Sequence, residues 1–220
     1  MKTIIKDSLI LFLITVIAGV LLGGVYTITK EPIAAQNEKA KQEAYKKVFM
    51  DSEGNALADK FDDMKFKGAD GTVSADNTTS ALEDLLDAEG YSKDEINAVA
   101  VATKNSATVG YVVTVTAKDG YSGDIKFSVG ILADGTVNGI SMLSISETAG
   151  LGMRAKDDSF TGLFVHKKVD SFKVTKTGAT ADNEIDALSG STITSKAVTN
   201  GVNSAIVVMN YLVEGGVGIE

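Results

Sequence analysis

From Ser8 to Thr29 the chain carries no charged side chain. A helix needs roughly 20 mainly apolar residues to cross the hydrocarbon of a bilayer. The stretch "LILFLITVIAGVLLGGVYT", Leu9 to Thr27, meets that length and places Tyr26 for the interface. A cleaved signal peptide has a shorter apolar part, about 7–15 residues, and an A-x-A-like cleavage site. "KEPIAAQ" matches such a site poorly. The expectation is therefore a retained single-pass anchor, dividing the chain into a short N-terminus (1–7), a transmembrane helix (8–29), a membrane-proximal helix (30–50) and a folded domain (51–220). Orientation is left open by charge. Lys2 and Lys6 precede the helix, but Lys30, Lys39, Lys41, Lys46 and Lys47 follow it.

The composition narrows what the folded domain does. A net charge of −8 disfavours nucleic acid, which is held by clustered Lys and Arg. The absence of cysteine excludes disulfides, thiolate catalysis and iron–sulfur ligation. A single histidine, His166, makes a Ser-His-Asp triad or a histidine-rich metal site a poor reading and an ordinary surface or packed residue the better one. Redox work by this chain therefore requires a borrowed cofactor.

Pro32 suits the first turn of a new helix, and "PIAAQNEKAKQEAYKKVF" reads as a charged, largely exposed one. Asp51 to Ser80 reads as loop with a short strand. "SALEDLLDAEGY" reads as a helix capped by Ser80, apolar along Leu82, Leu85 and Leu86, and ended by Gly90. "INAVAVAT" and "TVGYVVTVTA" are strand-like. "DIKFSVGILADGTVNGISMLSIS" predicts a hairpin about Asp134-Gly135, and "DSFKVTKT" a later strand. Val198, Val202, Ala205, Met209 and Leu212 form the apolar face of a C-terminal helix. Strands followed by a packing helix predict an α+β domain with a mostly antiparallel sheet. The acidic pairs Asp62-Asp63 and Asp157-Asp158 read as solvated turns or helix caps, and "NTT" at Asn77 is a glycosylation sequon by letter.

One stretch carries chemistry. In "DALSGSTITSKAV", Asp186 to Val198, serines and threonines crowd the entry to the last helix. A hydroxyl there serves as an N-cap. The same place is also an anion site, because the first N–H groups of a helix lack partners and the dipole is positive. Gly190 would let a ligand come close to the backbone. Both readings stand on composition.

"DALSGST" resembles the flavinylation motif Asp-x-x-Ser/Thr-Gly-Ala-Thr, in which a dedicated transferase moves FMN from FAD onto the final threonine as a phosphoester. Asp186, Ser189, Gly190 and Thr192 match, and Ser191 stands in place of the usual Ala, adding a second hydroxyl. The continuation "ITSKAV", with Thr194 and Ser195, is similar to the family's x-Thr-Ser-x-Ala-Val. "KDGYSGDIKFSVGI" resembles the Gly-Tyr-x-Gly-x-Ile strand entry of FMN-binding domains. "ETAGLG", Glu147 to Gly152, resembles their Glu-Thr-Pro-Gly-Leu-Gly, with Ala149 for Pro. Together, and behind an N-terminal membrane helix, these segments resemble the G subunit of the Rnf ion-translocating electron-transport complex. The C subunit of the sodium-pumping NADH:quinone oxidoreductase is a close second.

The resemblance implies covalent FMN on Thr192 and a flavin cleft lined by Tyr121, Glu147, Thr148, Leu151 and Gly152. It also implies electron relay between ferredoxin and NAD chemistry coupled to Na+ or H+ movement, with no independent substrate site. It implies membrane and iron–sulfur subunits as partners, a flavin transferase during maturation, and a bacterial cell-membrane location with the domain on the periplasmic or outer side. A surface-anchored module without flavin, its Thr192 merely a helix cap, is the reading from another class. "VTKTGAT" supplies a more literal Thr-Gly-Ala-Thr at Thr177–Thr180, but Val174 stands at the place of the motif's Asp and "ADNEIDA" follows. Thr192 is thus the expected acceptor.

Overall fold

The computed structural model describes residues 2–67, 73–74 and 78–214, with Asn77 of the sequon outside that set. Residues 1–41 and 42–220 form two compact units. The first is helix alone. Helix α1 runs Lys2–Val48, and its most apolar window has a mean hydropathy of 2.6 with none of it buried in protein. Among the described residues, one helix is thus long and apolar enough to cross a membrane. Three of its threonine hydroxyls bond within the helix: Thr15, Thr27 and Thr29 donate to the carbonyls of Phe12, Gly23 and Val25 at 2.8–2.9 Å, which suits hydrocarbon surroundings.

Pro32 does not start a new helix. It lies inside α1. Proline gives no N–H to the Ile28 carbonyl, yet the helix continues through it. The Ala-, Gln-, Glu- and Lys-rich residues that follow are strong helix formers, and they carry the backbone past the missing bond. The segment after Pro32 is largely exposed as expected, and only its end, with Ala44, Tyr45, Val48 and Phe49, is buried in the second unit.

That unit is built on a five-stranded, wholly antiparallel sheet in the order β1-β4-β5-β6-β7, with β1 Lys60–Asp63, β4 Asp94–Lys104, β5 Ala107–Ala117, β6 Ile125–Leu132 and β7 Val137–Ile145. Asp62 and Asp63 therefore lie on an edge strand rather than in a turn. Short strands β2 (Phe66–Lys67) and β3 (Val73–Ser74) pair with each other. Helix α2 spans Thr78–Ala88 and the one-turn helix α3 spans Asp158–Thr161. Helix α2 begins two residues before Ser80, so Ser80 lies in its first turn and is not its cap. Gly90, at φ +84°, ends it, and Tyr91 N–H returns to the Leu86 carbonyl at 2.8 Å. The β6–β7 hairpin turns at Asp134-Gly135 as expected, with Gly135 at φ +91° and Thr136 N–H bonded to the Asp134 carboxylate.

The sheet is buried on both faces, and strand alternation sorts its side chains. Val99, Val113, Val115, Phe127 and Val129 face the C-terminal helix α4, Thr192–Val213, which contributes Val198, Val202, Ala205, Met209 and Leu212. Their neighbours Ala100, Ala102 and Val112 face the other way, onto Tyr45 and Val48 of α1 and Phe49 just beyond it. Asn138 closes that end of α1, its side-chain amide donating to the carbonyls of Val48 (2.7 Å) and Met50 (3.1 Å).

Val48 sits against a cross-strand glycine pair, Gly130 opposite Gly139. A Cβ on Gly130 would lie 2.6 Å from the Val48 carbonyl oxygen and 2.9 Å from its Cβ. Backbone cannot yield as a side-chain tip does. Gly130→Ala is expected to cost about 1–3 kcal/mol as overpacking, read by thermal unfolding of the full chain in detergent. An unchanged midpoint would mean that α1 does not seat on this pair.

Candidate functional site

The chain reaches the last helix through a parallel two-stranded element, β8 Lys173–Thr175 with β9 Glu184–Asp186. The expected strand in "DSFKVTKT" is β8, whereas β9 and its parallel pairing are findings of the structure. Asp186 ends β9, exposed and paired with Thr175. A turn follows in which Ser191 N–H bonds to the Leu188 carbonyl at 2.9 Å and Gly190 adopts φ +76°. That conformation costs a residue with a Cβ. Ser189 is exposed in this turn.

Ser191 takes the cap position of α4 but makes no side-chain cap bond. The expected hydroxyl cap is therefore absent, and the Ser191 hydroxyl is buried with no hydrogen-bond partner. Ser195 does the fastening instead. Its hydroxyl accepts from Leu188 N–H and donates to the Ser191 carbonyl, both at 2.9 Å. Ser195 is fully buried, and its bonds tie the approach loop to the first turn of α4. Helix geometry leaves the N–H groups of Thr192, Ile193 and Thr194 without intrahelical acceptors. The helix entry thus combines free donors, the positive end of a 22-residue dipole and a half-buried threonine at its first position.

Two other segments meet this entry. Glu147 is buried, and its Oε1 accepts from the N–H groups of Tyr121 (2.7 Å) and Ser122 (3.4 Å), fixing the "DGYSG" turn. The chain then coils so that Thr148, itself exposed, offers its carbonyl to Leu151 and Met153 N–H, both at 3.1 Å. Gly152 lies where a Cβ would meet Glu147 Oε2 and Thr194 Oγ1, each at 2.7 Å. A Cβ on Gly190 would meet Leu151 Cδ2 at 3.1 Å. The structure therefore brings Glu147, Leu151, Gly152, Gly190 and Thr194 into one place beside Thr192, and Glu147 links the Tyr121 turn to them. Tyr121 (69% exposed), Leu151 (43%) and Ile193 (51%) present apolar surface to solvent around it. Sequence reasoning misses Ile193. Its signal is a large apolar side chain in the first helical turn, where polar residues are usual.

The second Thr-Gly-Ala-Thr lies in the β8–β9 connection. Thr180 is exposed, and both its N–H (2.7 Å) and its hydroxyl (2.9 Å) donate to Glu184. Those bonds, with a smaller part from Lys173, pull the Glu184 carboxyl down to about 2. Thr180 is thus engaged in a loop staple and stands at no helix entry. His166 is exposed, and no cluster of three metal-ligating side chains occurs among the described residues.

An FMN phosphate fits this chemistry. The helix entry offers uncapped donors, the two glycines let the three segments close on one another, and the apolar rim suits a flat ring.

Residues 120–207 match the FMN-binding domain family, and residues 1–48 match the RnfG N-terminal region. The chain is 33% identical to the G subunit of the Na(+)-translocating ferredoxin:NAD(+) oxidoreductase complex of Acetobacterium woodii, over 96% of this chain and 94% of the relative. It is 35% identical to the G subunit of the proton-translocating ferredoxin:NAD(+) oxidoreductase complex of Clostridium ljungdahlii, over 86% and 83%. Its fold is shared with NqrC of Shewanella oneidensis (TM-score 0.53, 18% identity, 80% of this chain and 95% of that one). The C subunit of the Na(+)-translocating NADH-quinone reductase of Parabacteroides distasonis is similar too (TM-score 0.54, 18%, 84% and 97%). With its α+β domain behind one apolar helix and its relatives matched over nearly the full length, the chain belongs to the family of G subunits of Rnf-type ion-translocating oxidoreductase complexes.

Proposed function

We propose that this chain is a membrane-anchored flavoprotein that carries FMN as a phosphoester on Thr192 and relays electrons within an Rnf-type complex coupled to Na+ or H+ movement. The observation that carries the proposal is the place of Thr192. It heads an uncapped helix at the meeting of the three segments that match FMN-binding proteins. Attachment forms one bond, Thr192 Oγ1 to phosphorus, as the pyrophosphate bond of FAD breaks. AMP leaves, and the threonine hydroxyl gives up its proton. Bound flavin supplies the redox chemistry that no side chain of a cysteine-free protein offers. The residues of this chain hold the phosphate at the helix dipole, with Thr194 and Gly152 beside it. Glu147 holds the Tyr121 turn in place, and Tyr121, Thr148 and Leu151 flank the ring. Asp186 and Ser189 precede the acceptor for recognition by the flavin transferase.

Residues 1–7 are assigned to the cytoplasm, 8–29 to the bilayer, 30–50 to a membrane-proximal helix whose end packs into the domain, and 51–220 to the periplasmic or outer side. Membrane and iron–sulfur subunits of the complex are its partners. The relatives at 33–35% identity are G subunits, which favours this assembly over the quinone-reducing one. The test is co-expression of the full chain with a flavin transferase, followed by denaturation. The expected result is in-gel flavin fluorescence and the added mass of one FMN. A chain that stays unmodified beside a flavinylated control protein would favour the flavin-free module instead.

A further inference from the structure

We propose that Ser191 is a second holder of the phosphate on Thr192, its hydroxyl donating to a phosphoester oxygen once the flavin is attached. The inference rests on the reading of Thr192 as the attachment residue, and it concerns a position where this chain departs from the motif it resembles.

The Ser191 side chain is in an unusual state. It occupies the cap position of a 22-residue helix, where serine ordinarily accepts from the N–H two or three residues on. It makes no such bond, it is 6% exposed, and its Oγ has no partner of any kind. Buried hydroxyls are nearly always satisfied, and an orphan calls for a missing ligand, water or conformer. The surrounding groups do not supply one. The Ser191 carbonyl is taken by Ser195 N–H and Ser195 Oγ, and Ser195 Oγ is already shared with Leu188 N–H. An alanine at this position, as in the motif, would leave nothing unsatisfied.

A phosphoester on the next residue changes the balance. It brings two non-bridging oxygens that share one negative charge to the helix entry, one residue from the orphan hydroxyl. Rotation about the Ser191 Cα–Cβ bond swings Oγ outward and breaks no hydrogen bond, because Oγ has none. Ser191 then adds an O–H donor to the N–H groups of the first turn, and bonds to a charged acceptor are the stronger kind.

The experiment is a stability cycle on the full chain in detergent. Wild type and Ser191→Ala are each prepared with a flavin transferase and without it, and their melting temperatures are compared. In the flavin-free pair, Ser191→Ala removes the orphan hydroxyl and is expected to melt about 2–4 °C higher. In the flavinylated pair that gain is expected to vanish or reverse, so flavin attachment stabilises wild type more than the variant. A merely structural serine gives the same shift in both pairs, and that result overturns the proposal. Tandem mass spectrometry of the flavinylated peptide is expected to place the FMN mass on Thr192, and FMN on Ser191 overturns it equally. Failure of the underlying reading looks different, as wild type would then carry no FMN mass at all.

Discussion

Thr192→Val abolishes covalent flavin, while Thr180→Val retains it in full. Valine keeps the β-branched shape of threonine and is tolerated in a helix at a cost of a few tenths of a kcal/mol, so the fold survives and only the nucleophilic oxygen is lost. Thr180 satisfies more of the motif's final letters, yet its hydroxyl is spent on Glu184 in the β8–β9 connection. Thr180→Val loses that one exposed bond, while the Thr180 N–H to Glu184 remains. In-gel fluorescence and intact mass decide the matter after co-expression with a flavin transferase, and thermal unfolding confirms that both variants are folded. Flavin that survives in Thr192→Val and disappears in Thr180→Val would move the attachment site.

The contrast shows where sequence is legible and where it is not. The hairpin at Asp134-Gly135, the core face of α4 and the end of α2 at Gly90 are local matters of turn chemistry and periodicity, and they appear as expected. Pro32 misleads because its local rule marks a helix start, whereas the strong helix formers after it carry α1 past one missing bond. The strand β9 and its parallel pairing with β8 are invisible in the letters, because three residues give no period to read and pairing joins distant segments. The site divides the same way. Its residue types can be named from the chain, but the convergence cannot. That Glu147 fastens the Tyr121 turn, that Gly152 lies between Glu147 and Thr194, and that Leu151 covers Gly190 are contacts between distant segments. Nor can letters show that Ser195 is the fastener and Ser191 the orphan, since both are serines near a helix entry.

A different kind of information lies in Asp94, which opens β4 beneath α4. Its Oδ2 accepts from the Ser204 hydroxyl at 2.6 Å, and its Oδ1 is buried without a donor. Burial pushes its carboxyl up to about 6 from an ordinary 3.8, the charge of Asp119 adds to the rise, and the Ser204 bond opposes it. At about 1.4 kcal/mol for each tenfold change in proton affinity, the ionised form is disfavoured in the fold by about 3 kcal/mol. Because the folded value is the raised one, the protonated form stabilises the fold. That stability is fully present below about pH 3.8, falls as the pH rises to about 6, and is absent above. Asp94→Asn keeps an oxygen for Ser204 and removes the charge, while its buried amide takes back about 1 kcal/mol. The variant is therefore expected to exceed wild type by about 2 kcal/mol at pH 8, roughly 4–8 °C in melting temperature, and to lose that advantage by pH 4. Carboxylates common to both proteins, Glu184 among them, cancel in the difference. Tyr91, a further titratable neighbour, has its hydroxyl raised above the ordinary value, chiefly by burial, and stays neutral throughout. Parallel melting curves from pH 4 to 8 would show that Asp94 is solvated in the fold.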